Sequence, residues 1–354
     1  MQALPDQEQN VAGSAQCTEP ARPARLLCAI SARDRALFFR QGEEKFAGLA
    51  AEVTWIDHPD LMTAALLEQL RPEIILTGWS SRPLPAAWLD ADDCPLRYVC
   101  HLTGSVKALV PRRFIERGGV VSNWGSLAAE TVAEHALLLA LAALRNLGSW
   151  DRVIRNSRHG SESSQLGTRS LFGRSVGIHG FGAVARALVR LLRPFRPSVR
   201  AWSPGVPEAA FRDEAVTPCA SLAELFAGSD VIFECESLTP ASEGSVDAKA
   251  LARLPDGAVF VNVARGHIVD EAALVREAES GRIRIALDVV CDEPLSPGSR
   301  LYRVNEAVFS PHIGGPTTDQ YPRFGEFALR NIGRFLRGRE PDGRVTPEIY
   351  DRST

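Results

Sequence analysis

Short apolar runs alternate with amphipathic stretches along most of the chain. ARLLCAI (24–30), EVTWI (52–56), EIILTG (73–78), RYVCHL (97–102) and GVVSN (119–123) have the length and bounding residues of strands. Helical patterns such as LMTAALLEQL (61–70) lie between them. The alternation restarts with SVGIHG (175–180), VRAWS (199–203), DVIFEC (230–235), AVFVNVA (258–264), IRIALDVV (283–290) and AVFSP (307–311), about six further strands. Strands alternating with helices predict an α/β protein with two doubly wound parallel-sheet domains. Between the two series, SLAAETVAEHALLLALAALRNL (126–147) reads as a helix with Ser126 as its N-cap. Its apolar content exceeds that of a surface helix, which places it between domains or in a subunit interface. GEFALRNIGRFLRG (325–338) predicts a last helix closed by Gly338. Residues 155–170 read as a polar surface loop.

Composition narrows the function. The chain has 354 residues, 45% apolar and 23% charged, enough for two domains with real cores. The net charge of −3 gives no electrostatic case for binding nucleic acid or an anionic membrane. The richest apolar run, HALLLALAAL (135–144), is too short to span a bilayer. Residues 1–23 lack the apolar core of a secretory signal and read as a disordered tail, so the cytoplasm is the expected compartment. Seven scattered cysteines form no C-x-x-C pair, which favours buried thiols over disulfides or zinc. None of the three lysines sits in a Walker-type loop, and there is no H-E-x-x-H pattern; no metal site is expected.

Gly180, Gly182 and Ala185 form a G-x-G-x-x-A pattern between an apolar strand and an apolar helix. In that context Gly180 allows a tight turn, Gly182 admits a pyrophosphate, and Ala185 lets helix and strand approach. Amides at the helix start then face the phosphates. Ser203 stands 23 residues after Gly180, where an acid normally meets the ribose 2′-hydroxyl. Serine removes the charge that repels a 2′-phosphate, so NADPH is expected to be accepted at least as readily as NADH. Arg186 and Arg212 are candidate partners for that phosphate, whereas Arg200 falls on the opposite strand face.

Three strand ends carry groups suited to chemistry. Arg265 follows VFVNVA, Glu293 follows LDVVCDEP, and His312 follows VFSP. Singly, Arg265 could tie a loop carbonyl, Glu293 could be solvated and His312 could be a satisfied core histidine. Ligands of open parallel sheets sit outside the carboxyl ends of strands, so all three could meet beside the glycine loop. An arginine fork suits a carboxylate and an adjacent carbonyl, and a histidine held by a carboxylate suits proton transfer.

These pieces, with AAETVAEHALLLALAALRN, SLTPASEG, NVARGHIVDEAAL, ALDVVCDEP and SPHIGG, resemble the D-isomer-specific 2-hydroxyacid dehydrogenase family over residues 90–340. The resemblance implies a flavodoxin-like substrate domain built from 24–125 and 316–354, with a Rossmann cofactor domain inserted at 126–315. It implies NAD or NADP, a small anionic 2-oxo or 2-hydroxy acid as substrate, and a homodimer. By match, Arg265 binds the substrate, His312 is the acid/base and Glu293 its partner. Thr103, Gly104 and Ser105 complete the substrate site. Gly180, Phe181, Gly182, Ala183, Val184, Ser203, Glu236, Val263, Ala264, Asp288 and Gly314 would contact cofactor, with Asp288 on the nicotinamide carboxamide. The loop HLTGSVK (101–107) departs from the family pattern, Lys107 replacing an acid, and Trp124 and Ser237 are also atypical. Two other functions fit the resemblance: an NAD(H)-sensing, corepressor-like protein, and a family member oxidising a different acid such as phosphite.

Overall fold

The computed structural model describes residues 23–40, 43–156 and 166–352. The expected tail, save Pro23, and most of the 155–170 loop lie outside them. Five strands form the first sheet: β1 (Ala24–Ala29), β2 (Ala51–Ile56), β3 (Ile74–Thr77), β4 (Tyr98–His101) and β5 (Val120–Ser122). They lie in the order β2-β1-β3-β4-β5, and every pairing is parallel. This is the flavodoxin order, in which the connections leave β1 and β3 on opposite sides.

The pleat sorts the side chains of this sheet. Leu27, Ala29, Ile75, Val99 and Val121 bury one face against Trp88, Phe114 and Tyr350. Leu26, Cys28, Ile74, Leu76 and Tyr98 bury the other against Phe38, Phe324 and Ile332. Phe324 and Ile332 belong to the helix Tyr321–Leu336, so the end of the chain returns to the first sheet. Gly325 lets that helix touch the helix Ala32–Phe39, since a Cβ there would meet the Phe38 carbonyl oxygen at 2.2 Å. The helix Tyr321–Leu336 is not the last, since Pro347–Arg352 forms another, and it begins four residues before the predicted 325. Gly338 lies just past its end with φ +69° and donates its amide to the Phe335 carbonyl, the expected closing role.

The second sheet holds seven strands where six were expected: β6 (Ser175–His179), β7 (Ser198–Trp202), β8 (Thr217–Pro218), β9 (Val231–Glu234), β10 (Val259–Asn262), β11 (Arg284–Leu287) and β12 (Val308–Phe309). The extra strand, β8, is two residues long and contains proline at the sheet edge, so it has no periodicity to read. The order is β12-β11-β10-β9-β6-β7-β8, all parallel. Strand order reverses at β6, the switch point at which open α/β sheets bind ligands.

The long apolar stretch forms the helix Ala129–Leu144. Ser126 is not its N-cap: that position is Ala128, with no side-chain cap, and Ser126 supplies only a carbonyl to the Ala129 amide. The helix owes its breadth mostly to burial within this chain. Ala133, Ala136, Ala140 and Ala143 are fully covered by the second sheet and the helix Ala183–Leu192. Among the described residues, no helix is long and apolar enough to cross a membrane and no cluster of potential metal ligands occurs. The six described cysteines are free thiols.

Candidate active-site cleft

The carboxyl ends of both sheets open on one cavity of about 800 Å³. The first sheet contributes Gly78 and Trp79 after β3, and Thr103, Gly104 and Ser105 after β4. The second contributes Ala183, Val184, Glu236, Val263, Ala264, Arg265, Asp288, His312 and Gly314. Twelve of the residues singled out from the sequence thus share one wall-to-wall site. Gly180, Phe181, Gly182, Ser203 and Glu293 are not in its lining; Ser203 bonds the lining residue Glu236, and Glu293 pairs with His312.

Arg265 leaves β10 where the chain presses against the loop after β11. A Cβ on Gly266 would lie 2.1 Å from the Val290 carbonyl carbon, so only glycine allows this approach. The guanidinium is half-buried and donates to the Ala264 carbonyl at 2.6 Å. Burial lowers its pKa, and the charge of Glu293 opposes that shift. One of its donors therefore does tie a loop carbonyl, while the residue still faces the cleft.

His312 Nδ1 lies 2.6 Å from Glu293 Oε2. The Glu293 Oε1 accepts the Val290 amide at 3.3 Å. His312 has φ +55°, a left-handed conformation that a non-glycine residue holds only where its surroundings impose it. Asp288 imposes it. The Asp288 carbonyl accepts the His312 amide at 2.9 Å, and its carboxylate accepts the Ile313 and Gly314 amides, each at 2.9 Å. Ser310 Oγ adds a bond of 2.6 Å, and His135 Nε2, on the helix Ala129–Leu144, lies 3.2 Å away. Burial raises the Asp288 pKa, but the donors from His135, Ser310, Ile313 and Gly314 outweigh it and hold the carboxyl at about 2. Three of these partners meet Oδ1; among the described residues Oδ2 is bound only to Gly314 and has capacity for one more donor. His135 and Ser310 went unnoticed in the sequence. A lone histidine in an alanine- and leucine-rich helix carries no local sign of a partner 153 positions away in the chain.

The glycine loop fits a dinucleotide. Gly180 has φ +87°, and a Cβ there would fall 2.5 Å from the Glu236 amide nitrogen. Gly182 faces open space and begins the helix Ala183–Leu192 without a side-chain cap. Its first amides are therefore available to phosphate oxygens. Phe181 turns away into the core against Phe211, their ring centroids 4.5 Å apart, so only its backbone serves the loop.

At the end of β7, Ser203 Oγ donates to Glu236 Oε2 at 2.6 Å. The other oxygen of Glu236 accepts the Ser237 amide at 2.9 Å. Glu236 follows β9, on the far side of β6 from β7. Its own amide is held by the buried Glu234, whose other oxygen binds His179 at 2.6 Å. The premise that serine leaves this strand end uncharged therefore does not hold: a carboxylate has arrived from another strand. The arginines considered for a 2′-phosphate face elsewhere. Arg212 pairs with Glu208, and Arg186 lies over the Phe181 ring and near Glu214.

The loop after β4 is tied down at several points. His101 is buried between Thr77 and Thr103, its ring nitrogens 2.9 and 2.6 Å from their hydroxyls. Burial drives its pKa down to about 4, so the ring is neutral near pH 7. Asn123 holds the Gly104 carbonyl at 2.6 Å, and the Trp124 amide donates to the Thr103 carbonyl. Lys107 turns out to the Asp351 carbonyl at 2.9 Å, away from the cleft.

Residues 137–314 match the family model described as D-isomer specific 2-hydroxyacid dehydrogenase, NAD binding domain. The chain is 31% identical over 292 residues to D-3-phosphoglycerate dehydrogenase of Mycobacterium tuberculosis H37Rv, covering 82% of this chain and 54% of that protein. It thus spans about half the length of that relative. It is 30% identical over 252 residues to a human glyoxylate reductase/hydroxypyruvate reductase, covering 71% of this chain and 77% of that one. A solved phosphoglycerate oxidoreductase from Rhizobium etli superposes with a TM-score of 0.73 at 26% identity, over 90% of this chain and 97% of that one. With a matched cofactor-domain model and the same two-sheet architecture, the chain belongs to the D-isomer specific 2-hydroxyacid dehydrogenase family.

Proposed function

We propose that this protein is a nicotinamide-dependent oxidoreductase that interconverts a 2-oxo acid and a D-2-hydroxy acid in the cleft between its two sheets. The observation that carries this reading is the His312–Glu293 pair, closed at 2.6 Å on the same cavity as Arg265. A protein that only sensed the dinucleotide would have no need of that pair. The substrate domain comprises 24–125 and 316–354, and the cofactor domain 126–315.

The nicotinamide, when bound, supplies or accepts the hydride at the substrate carbon. Arg265 binds the carboxylate and polarises the carbonyl with its fork of donors. Amides of Thr103, Gly104 and Ser105 face the same carboxylate. His312 delivers a proton to the carbonyl oxygen during reduction and takes it back during oxidation. Glu293 orients the imidazole and stabilises its protonated form. Ala183 and Val184 would offer amides to the pyrophosphate, Val263, Ala264 and Gly314 would shape the nicotinamide end, and the Asp288 carboxylate would hold its carboxamide.

Glu236 reverses the cofactor preference expected from Ser203. Its carboxylate is set to accept from the ribose hydroxyls, and it repels a 2′-phosphate. NADH is therefore expected to bind at least tenfold more tightly than NADPH, measured by cofactor fluorescence, and to support turnover of a 2-oxo acid with the same bias. Glu236→Gln should narrow that ratio several-fold. Equal binding of the two cofactors to the unaltered protein would refute this role.

A homodimer is also proposed. Leu138, on the helix Ala129–Leu144, and Leu147, Trp150 and Ile154, beyond it, are large apolar side chains left exposed, Ile154 at 73%. Light scattering at micromolar concentration should give twice the chain mass, and Ile154→Asp should weaken the association. A monomer mass for the unaltered protein would contradict the proposal.

Asp288 gives a pH prediction. Its folded pKa lies below the ordinary value, so the stability it confers is complete above about pH 4 and is lost as pH falls towards 2. Asp288→Asn turns an amide N–H towards donors and leaves buried groups unpaired, a loss of about 1–3 kcal/mol. In urea titrations the gap between the two proteins should be full at pH 6 and shrink below pH 4. A constant gap down to pH 3 would show that the carboxylate is not the source.

A further inference from the structure

The cleft has an aromatic wall that neither the cofactor nor the acid/base pair uses. Trp79, after β3, is 51% exposed and lines the cavity. It is not a loose surface residue. Its ring stands nearly perpendicular to Trp124 at 6.4 Å and to Tyr321 at 5.7 Å, and leans on Phe38 at 5.6 Å. Trp124 is held in turn by Phe324, at 5.5 Å. The wall reaches both ends of the substrate site. A Cβ on Gly104 would lie 2.8 Å from Trp124 Cζ2, and one on Gly315, three residues past His312, would lie 3.9 Å from Trp124 Cη2.

Charge limits what else can enter. Among the described residues, Arg265 is the only lysine or arginine in the lining. Lys107 and Arg82, nearby in sequence, are turned to Asp351 and Asp60. A second anionic group on the substrate would be desolvated with no cation to meet it. A preformed aromatic corner, by contrast, gains from ring-on-ring contact beyond the area it buries.

Resting on the oxidoreductase reading above, we propose that Trp79, Trp124 and Tyr321 form the side-chain subsite, and that the substrates are singly charged 2-oxo and 2-hydroxy acids with an aromatic side chain. Phenylpyruvate, pyruvate, glyoxylate and 3-phosphohydroxypyruvate, each with NADH, test it. Phenylpyruvate should exceed pyruvate and glyoxylate at least tenfold in kcat/KM, and the phosphorylated acid should be the poorest. Trp79→Ala should lower the phenylpyruvate-to-pyruvate ratio about tenfold, and Trp79→Phe should largely restore it. Calorimetric titration of the unaltered protein with each acid in the presence of NAD+ reads the subsite without turnover, and should place phenylpyruvate first. If no acid consumes NADH yet phenylpyruvate still binds first, the reaction assignment fails and the subsite stands. If a small or phosphorylated acid is preferred in both measurements, the subsite assignment is overturned and the oxidoreductase reading survives.

Discussion

The buried carboxylate of Asp288 holds the site in shape. It stands at the end of β11 and gathers donors from Ser310, Ile313, Gly314 and His135. Those bonds join a strand end, the helix Ala129–Leu144 and the loop that carries His312. A carboxylate with this many donors stays ionised although it is buried, so it remains an acceptor throughout the neutral range. The left-handed backbone of His312 persists because both sides of the loop are fixed. Without that anchor the imidazole would not be aimed at Glu293.

The remaining parts follow from where the strands end. Two parallel sheets present their carboxyl ends to one cavity, so loops far apart in sequence meet without long excursions. Each close contact is permitted by a missing side chain: Gly266 against Val290, Gly180 against Glu236, Gly104 against Trp124. The half-buried guanidinium of Arg265 has one donor taken by its own loop, and the charge of Glu293 opposes part of the effect of burial.

Much of this could be read from the chain itself. The alternation of apolar runs locates eleven of the twelve strands, because most are apolar runs bounded by polar or glycine residues. The glycine loop and the polar strand ends were legible because their chemistry is local. Pairings across strands were not. Ser203 suggested an uncharged ribose site, and only the placement of β7 and β9 on either side of β6 brings Glu236 to it from 33 positions away. Ser126 looked like a cap because hydroxyl caps are common, yet the helix starts later and uses none. Trp79 carried no signal at all, since one tryptophan in a turn has no period. Its role emerges from Trp124 and Tyr321, which reach it from other segments.

The central claim is that His312 moves the proton while the rest of the cleft binds. His312→Gln tests it directly, with kcat for reduction of a 2-oxo acid measured beside the dissociation constant of NADH. Turnover should fall by about 10²–10⁴, the usual worth of a positioned acid, while NADH binding stays within about threefold of the unaltered protein. A variant that keeps more than about half of the original kcat, well below any such loss, would contradict the account.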